Sequence, residues 1–338
     1  MSSNLRDYEF DQALEAIATE DITTEEKVEM LMQIAMGLQN KPKSTVQLHN
    51  AVTLYDKALE LCPPDEALHI ARINARKATA FQAIPDNGSG YLERARIALE
   101  SAIPDLEEHG LPEENAEAEI NLGLVIQSLF AFNQASIQEA INAYQRALKV
   151  FTRENYPAEF AIIHNNLATA FLSMQTNSET GKMREALAVQ SFQDALSVVS
   201  MTDQPTEYAM LQNNLGNALQ SVRSSHGVEN NLRALDAYDE ALRVRTSTDT
   251  PLEYANTICN KANCICALPD DLEHPDKGNR HNLREALGLY QEAQAIFGQF
   301  GEMDKAQMIQ EMITELEADV GTGEAGSRKG KGFGESRI

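Results

Sequence analysis

A chain of 338 residues that is 43% hydrophobic can bury a sizeable core, yet it carries 51 acidic against 28 basic side chains, a net charge of −23. That balance disfavours nucleic acid and anionic membrane surfaces as partners, because both are held by clustered Lys and Arg. It favours solubility and a protein or peptide partner that is neutral or basic.

Along the chain, residues 1–22 form an N-terminal segment that starts without the basic-then-apolar order of a signal peptide. Phe10, Ala13, Leu14 and Ile17 at helical spacing predict an amphipathic helix there. Thr23-Thr-Glu-Glu26 is a capping-box pattern that opens the next helix, through Val28, Leu31 and Leu38. Lys41-Pro42-Lys43 breaks it. A partner helix follows at about 45–61, and Pro63-Pro64 ends that one.

From here two markers keep one beat. An aromatic-x-x-Ala-Leu motif or a variant of it stands at Tyr55, Leu99, Tyr144, Phe192, Tyr238 and Tyr290. A Pro-x-Glu motif stands at Pro64 (loosely), Pro112, Pro157, Pro205 and Pro251. Two independent markers with one period of 44–52 residues argue for an internal repeat. Each unit is a helix pair. The first helix, A, opens on the boundary Pro, whose missing N–H costs nothing in a first turn. The Glu beside it suits the positive end of the helix dipole. Thr250-Pro-Leu-Glu253 also reads as a capping box. The second helix, B, carries the aromatic. Its Ala is small enough to let a neighbouring helix come close. A helices are predicted at about 65–82, 113–131, 158–174, 206–222 and 252–268, and B helices at about 91–108, 137–152, 182–199, 230–246 and 281–298. Residues 23–300 therefore form the repeats. Residues 301–319 predict a helix that caps the open end of a stack. Residues 320–338 are Gly-rich and basic, with four Lys or Arg against two Glu, and are expected to be disordered.

Asn214-Leu-Gly-Asn-Ala-Leu219 and Ala234-Leu-Asp-Ala-Tyr-Asp-Glu-Ala-Leu242 resemble the A and B helices of the tetratricopeptide repeat (TPR) family. The family's usual period is 34, and this chain has no Trp where that family's helix A has one. The likeness is to the long-period variant of bacterial signalling and scaffold arrays and of the kinesin light chain. It implies an all-α, right-handed superhelical solenoid of about six antiparallel helix pairs whose A helices line a concave groove.

Chemistry-bearing patterns are sparse. Cys259, Cys264 and Cys266 lack the paired C-x2-C spacing of zinc sites, and four Cys in this length make no disulfide framework. They read as small core residues. Seven scattered His join no nucleophile motif, and no phosphate loop, GxSxG or HExxH occurs. No catalytic residue, cofactor or metal is expected. No apolar run approaches the 18 or so residues of a membrane span, and a cytoplasmic location is expected. The informative feature is polar. Asn121, Asn166, Asn214 and Asn260 each fall nine residues after a boundary Pro, with further amides beside them. The family likeness places Asn165, Thr169, Asn213, Asn217, Gln220 and Asn263 on the groove wall, where carboxamides can bond a peptide backbone without choosing a charge. The competing reading is that the row of Asn nine after Pro holds neighbouring repeats in register. The functional expectation is a non-catalytic scaffold or adaptor that binds a polypeptide. A client-specific chaperone or assembly factor is the alternative, and a metalloprotein or hydrolase is a more distant one.

Overall fold

The computed structural model describes residues 10, 14–15, 22–174, 178–222 and 226–321. The predicted first helix falls mostly outside them, although Phe10, Leu14 and Glu15 are helical and Phe10 and Leu14 pack on the first core. The tail from residue 322 lies outside the described residues.

The described residues form helices α1 (Thr24–Asn40), α2 (Thr45–Leu61), α3 (Ala67–Ala83), α4 (Gly90–His109), α5 (Pro112–Ala131), α6 (Ile137–Ala147), α7 (Pro157–Ser173), α8 (Ser178–Leu196), α9 (Pro205–Ser221), α10 (Gly227–Leu242), α11 (Pro251–Cys266), α12 (Arg280–Gln299) and α13 (Met303–Gly321), and no strand. Each odd helix up to α11 packs on the even helix after it, giving six consecutive pairs, and α13 packs on α12. Among the described residues no helix is long and apolar enough to cross a membrane.

The chain divides into two compact units, residues 1–156 and 157–338. The N-terminal unit holds α1–α6. One of its cores gathers Leu31, Ala35, Leu54, Tyr55, Ala58 and Ile73 from α1, α2 and α3. The C-terminal unit holds α7–α13. Its first core runs from Ala161 through Phe192 and Leu219 to Tyr238, and its second from Ile258 through Tyr290 and Phe297 to Ile309 and Ile313.

The helix starts follow from local chemistry. The Thr23 hydroxyl accepts from the Glu26 N–H at 3.2 Å, and the Glu26 carboxylate accepts from the Thr23 N–H at 2.8 Å. Glu114 accepts from the Leu111 N–H at 2.9 Å, and Glu139 from the Ser136 N–H at 3.2 Å. Pro205 and Pro251 stand in first turns as expected. The capping box expected at Thr250 does not form. The Thr250 hydroxyl instead accepts from the Thr246 N–H at 3.2 Å, closing the loop before the helix. α6 stops at Ala147, earlier than its pattern suggests, because the next turn tightens into three-residue bonds such as Lys149 N–H to Arg146 C=O. Gly301, at φ +79°, supplies the left-handed residue that turns α12 back into α13.

Candidate functional site

The packing of A on B begins with a socket. A β-carbon built on Gly123 in α5 would lie 2.4 Å from the Tyr144 ring of α6. One built on Gly216 in α9 would lie 2.5 Å from the Tyr238 ring of α10. These distances are far inside van der Waals contact, so the ring rests directly on the backbone of helix A. Both glycines stand eleven residues after their boundary Pro. Ala168 and Ala262 hold that position in α7 and α11, and each shares a core with the aromatic of its own pair, Phe192 or Tyr290.

A buried tyrosine then needs a partner for its hydroxyl. Helix A provides one each time. Tyr55 donates to Gln39 Oε1 at 3.1 Å and Tyr144 to Gln127 Oε1 at 3.0 Å. Tyr238 donates to Asn217 Oδ1 at 2.7 Å, and Tyr290 to Asn263 Oδ1 at 2.5 Å. Gln220 Nε2 donates to the Tyr238 hydroxyl at 2.6 Å and to the Asn260 carbonyl at 3.0 Å. In the pair with Phe192 there is no hydroxyl to satisfy, and Leu172 stands where Gln127 and Gln220 stand in their helices. Burial pushes the Tyr55 hydroxyl up to about 12 and the Tyr238 hydroxyl well above its ordinary value.

A second set of amides joins one pair to the next within the C-terminal unit. Asn260 Nδ2 of α11 donates to Asn213 Oδ1 of α9 at 3.1 Å. Asn214 Nδ2 of α9 reaches Asn165 Oδ1 of α7 at a longer 3.4 Å. The residue nine after Pro in one repeat thus bonds the residue eight after Pro in the repeat before, which makes a ladder across the A helices.

The six residues placed on the groove wall therefore divide by environment. Asn213 is 8% exposed, and its oxygen is committed to the ladder. Gln220 is half-buried and bridges Tyr238 to α11. Asn165 and Thr169 are half-buried on α7, Asn165 in the ladder and Thr169 donating to the Asn166 carbonyl at 2.9 Å. Asn217 is exposed and Asn263 half-buried. Each of those two has its oxygen fixed by a tyrosine hydroxyl, and neither Nδ2 has a protein partner among the described residues. Ile162 and Met210, five residues after Pro in α7 and α9, are 53% and 38% exposed. Each stands three residues before a ladder Asn, and so on the same helix side.

Sequence reasoning missed the tyrosine–amide bonds and the bidentate ion pair of Arg146 with buried Glu119, at 2.5 and 2.7 Å. The amide signal was present at twelve and fifteen residues after Pro. Its partner is a tyrosine hydroxyl of the next helix, 17–27 residues on.

The cysteines do not converge on a ligand. Burial pushes the Cys259 and Cys264 thiols up to about 12, and Cys264 Sγ donates to the Asn231 carbonyl at 3.1 Å. Among the described residues no group of three or more His, Cys, Asp or Glu is placed to hold a metal ion.

No protein-family model matches the chain, and no curated protein matches it. Solved structures do resemble it. BtubC (BKLC) from P. vanneervenii is 20% identical, the match covers 70% of this chain and 86% of that one, and the TM-score is 0.52. MamA protein is 18% identical over 64% of this chain and 97% of its own, with a TM-score of 0.42. The TPR2AB domain of yeast Sti1, in complex with pHSP90, is 15% identical over 87% of this chain and 99% of its own, with a TM-score of 0.32. Taken with the six consecutive helix pairs, the likeness to BtubC establishes the fold: the chain is an all-α array of tetratricopeptide-like paired-helix repeats.

Proposed function

We propose that the chain is a non-catalytic protein-interaction module, a scaffold or adaptor that holds an extended polypeptide against the A-helix face of its C-terminal unit. The observation that carries this reading is the pair Asn217 and Asn263. Their oxygens are fixed by Tyr238 and Tyr290, so their Nδ2 groups are held as oriented donors with no protein acceptor. Pre-oriented donors lose little freedom on binding, and two of them on successive A helices suit the carbonyls of an extended backbone. Asn165 and Thr169 continue the polar row on α7. Asn213 and Gln220 serve it as framework. Ile162 and Met210 offer apolar contact alongside. The net charge favours a neutral or basic partner rather than nucleic acid or membrane. The four free thiols are in keeping with a cytoplasmic setting.

The test separates binding from folding. Asn217→Asp and Asn263→Asp keep an acceptor for the tyrosine hydroxyl and remove the donor. A partner captured from the source cell is purified and titrated against both variants. The reading expects each to lose about 1–3 kcal/mol of binding with the thermal melt nearly unchanged. Undiminished affinity per folded molecule overturns it. Whether the partner stays in the mature complex or is released separates a scaffold from an assembly chaperone.

A further inference from the structure

The chain contains a single Asn-Gly pair, Asn87-Gly88. It stands in the connection between α3 and α4, and both residues are exposed. Among the described residues the Asn87 carboxamide makes no hydrogen bond, and the Gly88 N–H makes none either. A β-carbon built on Gly88 would have only the Asp86 carboxylate near it, at 3.7 and 4.0 Å. Gly has no side chain of its own to screen its nitrogen. The Gly88 nitrogen is therefore open to the side-chain carbonyl carbon of Asn87.

Two other Asn residues outside the helices lack this freedom. Asn133 is exposed, but the N–H that follows it, on Gln134, donates to the Leu129 carbonyl at 3.1 Å. Asn279 Nδ2 donates to the Cys266 carbonyl at 2.8 Å. The ladder and tyrosine-bonded Asn residues stand inside α7, α9 and α11, where the next N–H is spent on the helix. The flanks of the Asn87 connection are fixed on both sides. Ile84 N–H donates to the Phe81 carbonyl at 3.2 Å, and Glu93 N–H to the Ser89 carbonyl at 2.9 Å. The Phe81 and Tyr91 rings stack at 6.0 Å between the end of α3 and the start of α4. A chemical change at Asn87 is thus confined to the turn.

We propose that Asn87 is a site of spontaneous covalent modification, an age mark carried by the N-terminal unit. The Gly88 amide nitrogen attacks Asn87 Cγ. The new N–Cγ bond closes a succinimide ring, the Cγ–Nδ2 bond breaks, and Nδ2 leaves as ammonia with the Gly88 amide proton. Solvent water then opens the ring. Opening at the former side-chain carbonyl gives Asp. Opening at the main-chain carbonyl gives isoaspartate, in which the chain runs on through the side-chain carboxyl. Both products place a new carboxylate next to Asp86, and isoaspartate also adds a methylene to the main chain. Loss of ammonia makes the change one-way, so the converted fraction reports the time since synthesis. The site lies wholly in the N-terminal unit and is independent of the Asn217 and Asn263 donors.

The experiment is a time course on the full chain, held at neutral pH and in mild alkali. Samples are digested and read by mass spectrometry, with electron-transfer fragmentation to separate Asp from isoaspartate, and the zero-time sample controls for conversion during digestion. The peptide bearing Asn87 is expected to gain the mass by which O exceeds NH before any other Asn of the described residues does. Conversion should be faster in alkali, because the attacking nitrogen must shed its proton, and isoaspartate should be among the products. Gly88→Ala adds a β-carbon in ordinary contact with Asp86 at a residue whose φ is not positive. It should leave the melt unchanged and slow conversion at Asn87 several-fold. Asn87 intact at the end of the incubation, another described Asn converting first, Asp formed without isoaspartate, or equal conversion in Gly88→Ala would each overturn the proposal.

Discussion

At the scale of single residues, the molecule depends on a ring seated against backbone. Gly216→Ala forces a methyl into the Tyr238 ring, so Tyr238 or α9 must shift. The cost expected is about 1–3 kcal/mol, read as a fall in the urea midpoint at constant slope. Ala262→Gly is the control, losing only the roughly 1 kcal/mol of helix propensity and a methyl contact. If Gly216→Ala is neutral, the socket is not as tight as its geometry states. The tyrosines also fix a pH dependence. Burial raises the Tyr55 hydroxyl to about 12 and the Tyr238 hydroxyl well above its ordinary value. In the unfolded chain both ionise near 10. A raised folded pKa means that stability is fully present below about pH 10 and is lost as pH climbs toward 12. Urea unfolding across that window should show the decline, and Tyr55→Phe should reduce its slope. Tyrosinate absorbance rising for all nine tyrosines together near pH 10 would contradict it.

At the scale of elements, the sequence located the helices because their cause is repetitive. Aromatic, Ala and Leu at helical spacing must face another helix, and the boundary Pro residues suit first turns, although Pro104 stands inside α4; pairs and most boundaries thus emerge without knowing the neighbours. The polar contacts were less legible, because a carboxamide's partner lies far along the chain. Asn213 looked like a groove residue and is instead buried, with its oxygen taken by Asn260, 47 residues away. Thr250 looked like a cap and bonds the preceding loop. The members of the amide row therefore differ in what they bond. Asn214 and Asn260, nine after Pro, bond the repeat before them, while Asn217 and Asn263 keep Nδ2 donors with no protein partner among the described residues. A double-mutant cycle on Asn213→Ala and Asn260→Ala should give a coupling of about 0.5–1.5 kcal/mol; additive effects would mean that the ladder bond contributes nothing. The Arg146–Glu119 pair joins α6 to α5 with the carboxylate 3% exposed. Arg146→Met would strand a buried carboxylate, at about 2–3 kcal/mol. That is below the roughly 3–5 kcal/mol of a fully buried pair, because Arg146 is itself half-exposed. A melt unchanged by that substitution would show that water replaces the guanidinium freely.

At the scale of the whole molecule, the A helices repeat, and their chemistry differs between the two units. In the C-terminal unit the A helices present amides with apolar neighbours. In the N-terminal unit Asn121 stands at the ladder position, nine residues after Pro112. Sequence alone located the amides but not their roles, since an Asn already bonded and an Asn with a free donor look identical in a string of letters. The central claim is that a polypeptide is held by the A-helix face of the C-terminal unit. Hydrogen–deuterium exchange on the chain with and without its purified partner tests it most directly. The account predicts slowed exchange concentrated in α7, α9 and α11, abolished together with binding by Asn217→Asp and Asn263→Asp. Protection confined to the B helices α8, α10 and α12, or unchanged by those substitutions, would contradict it.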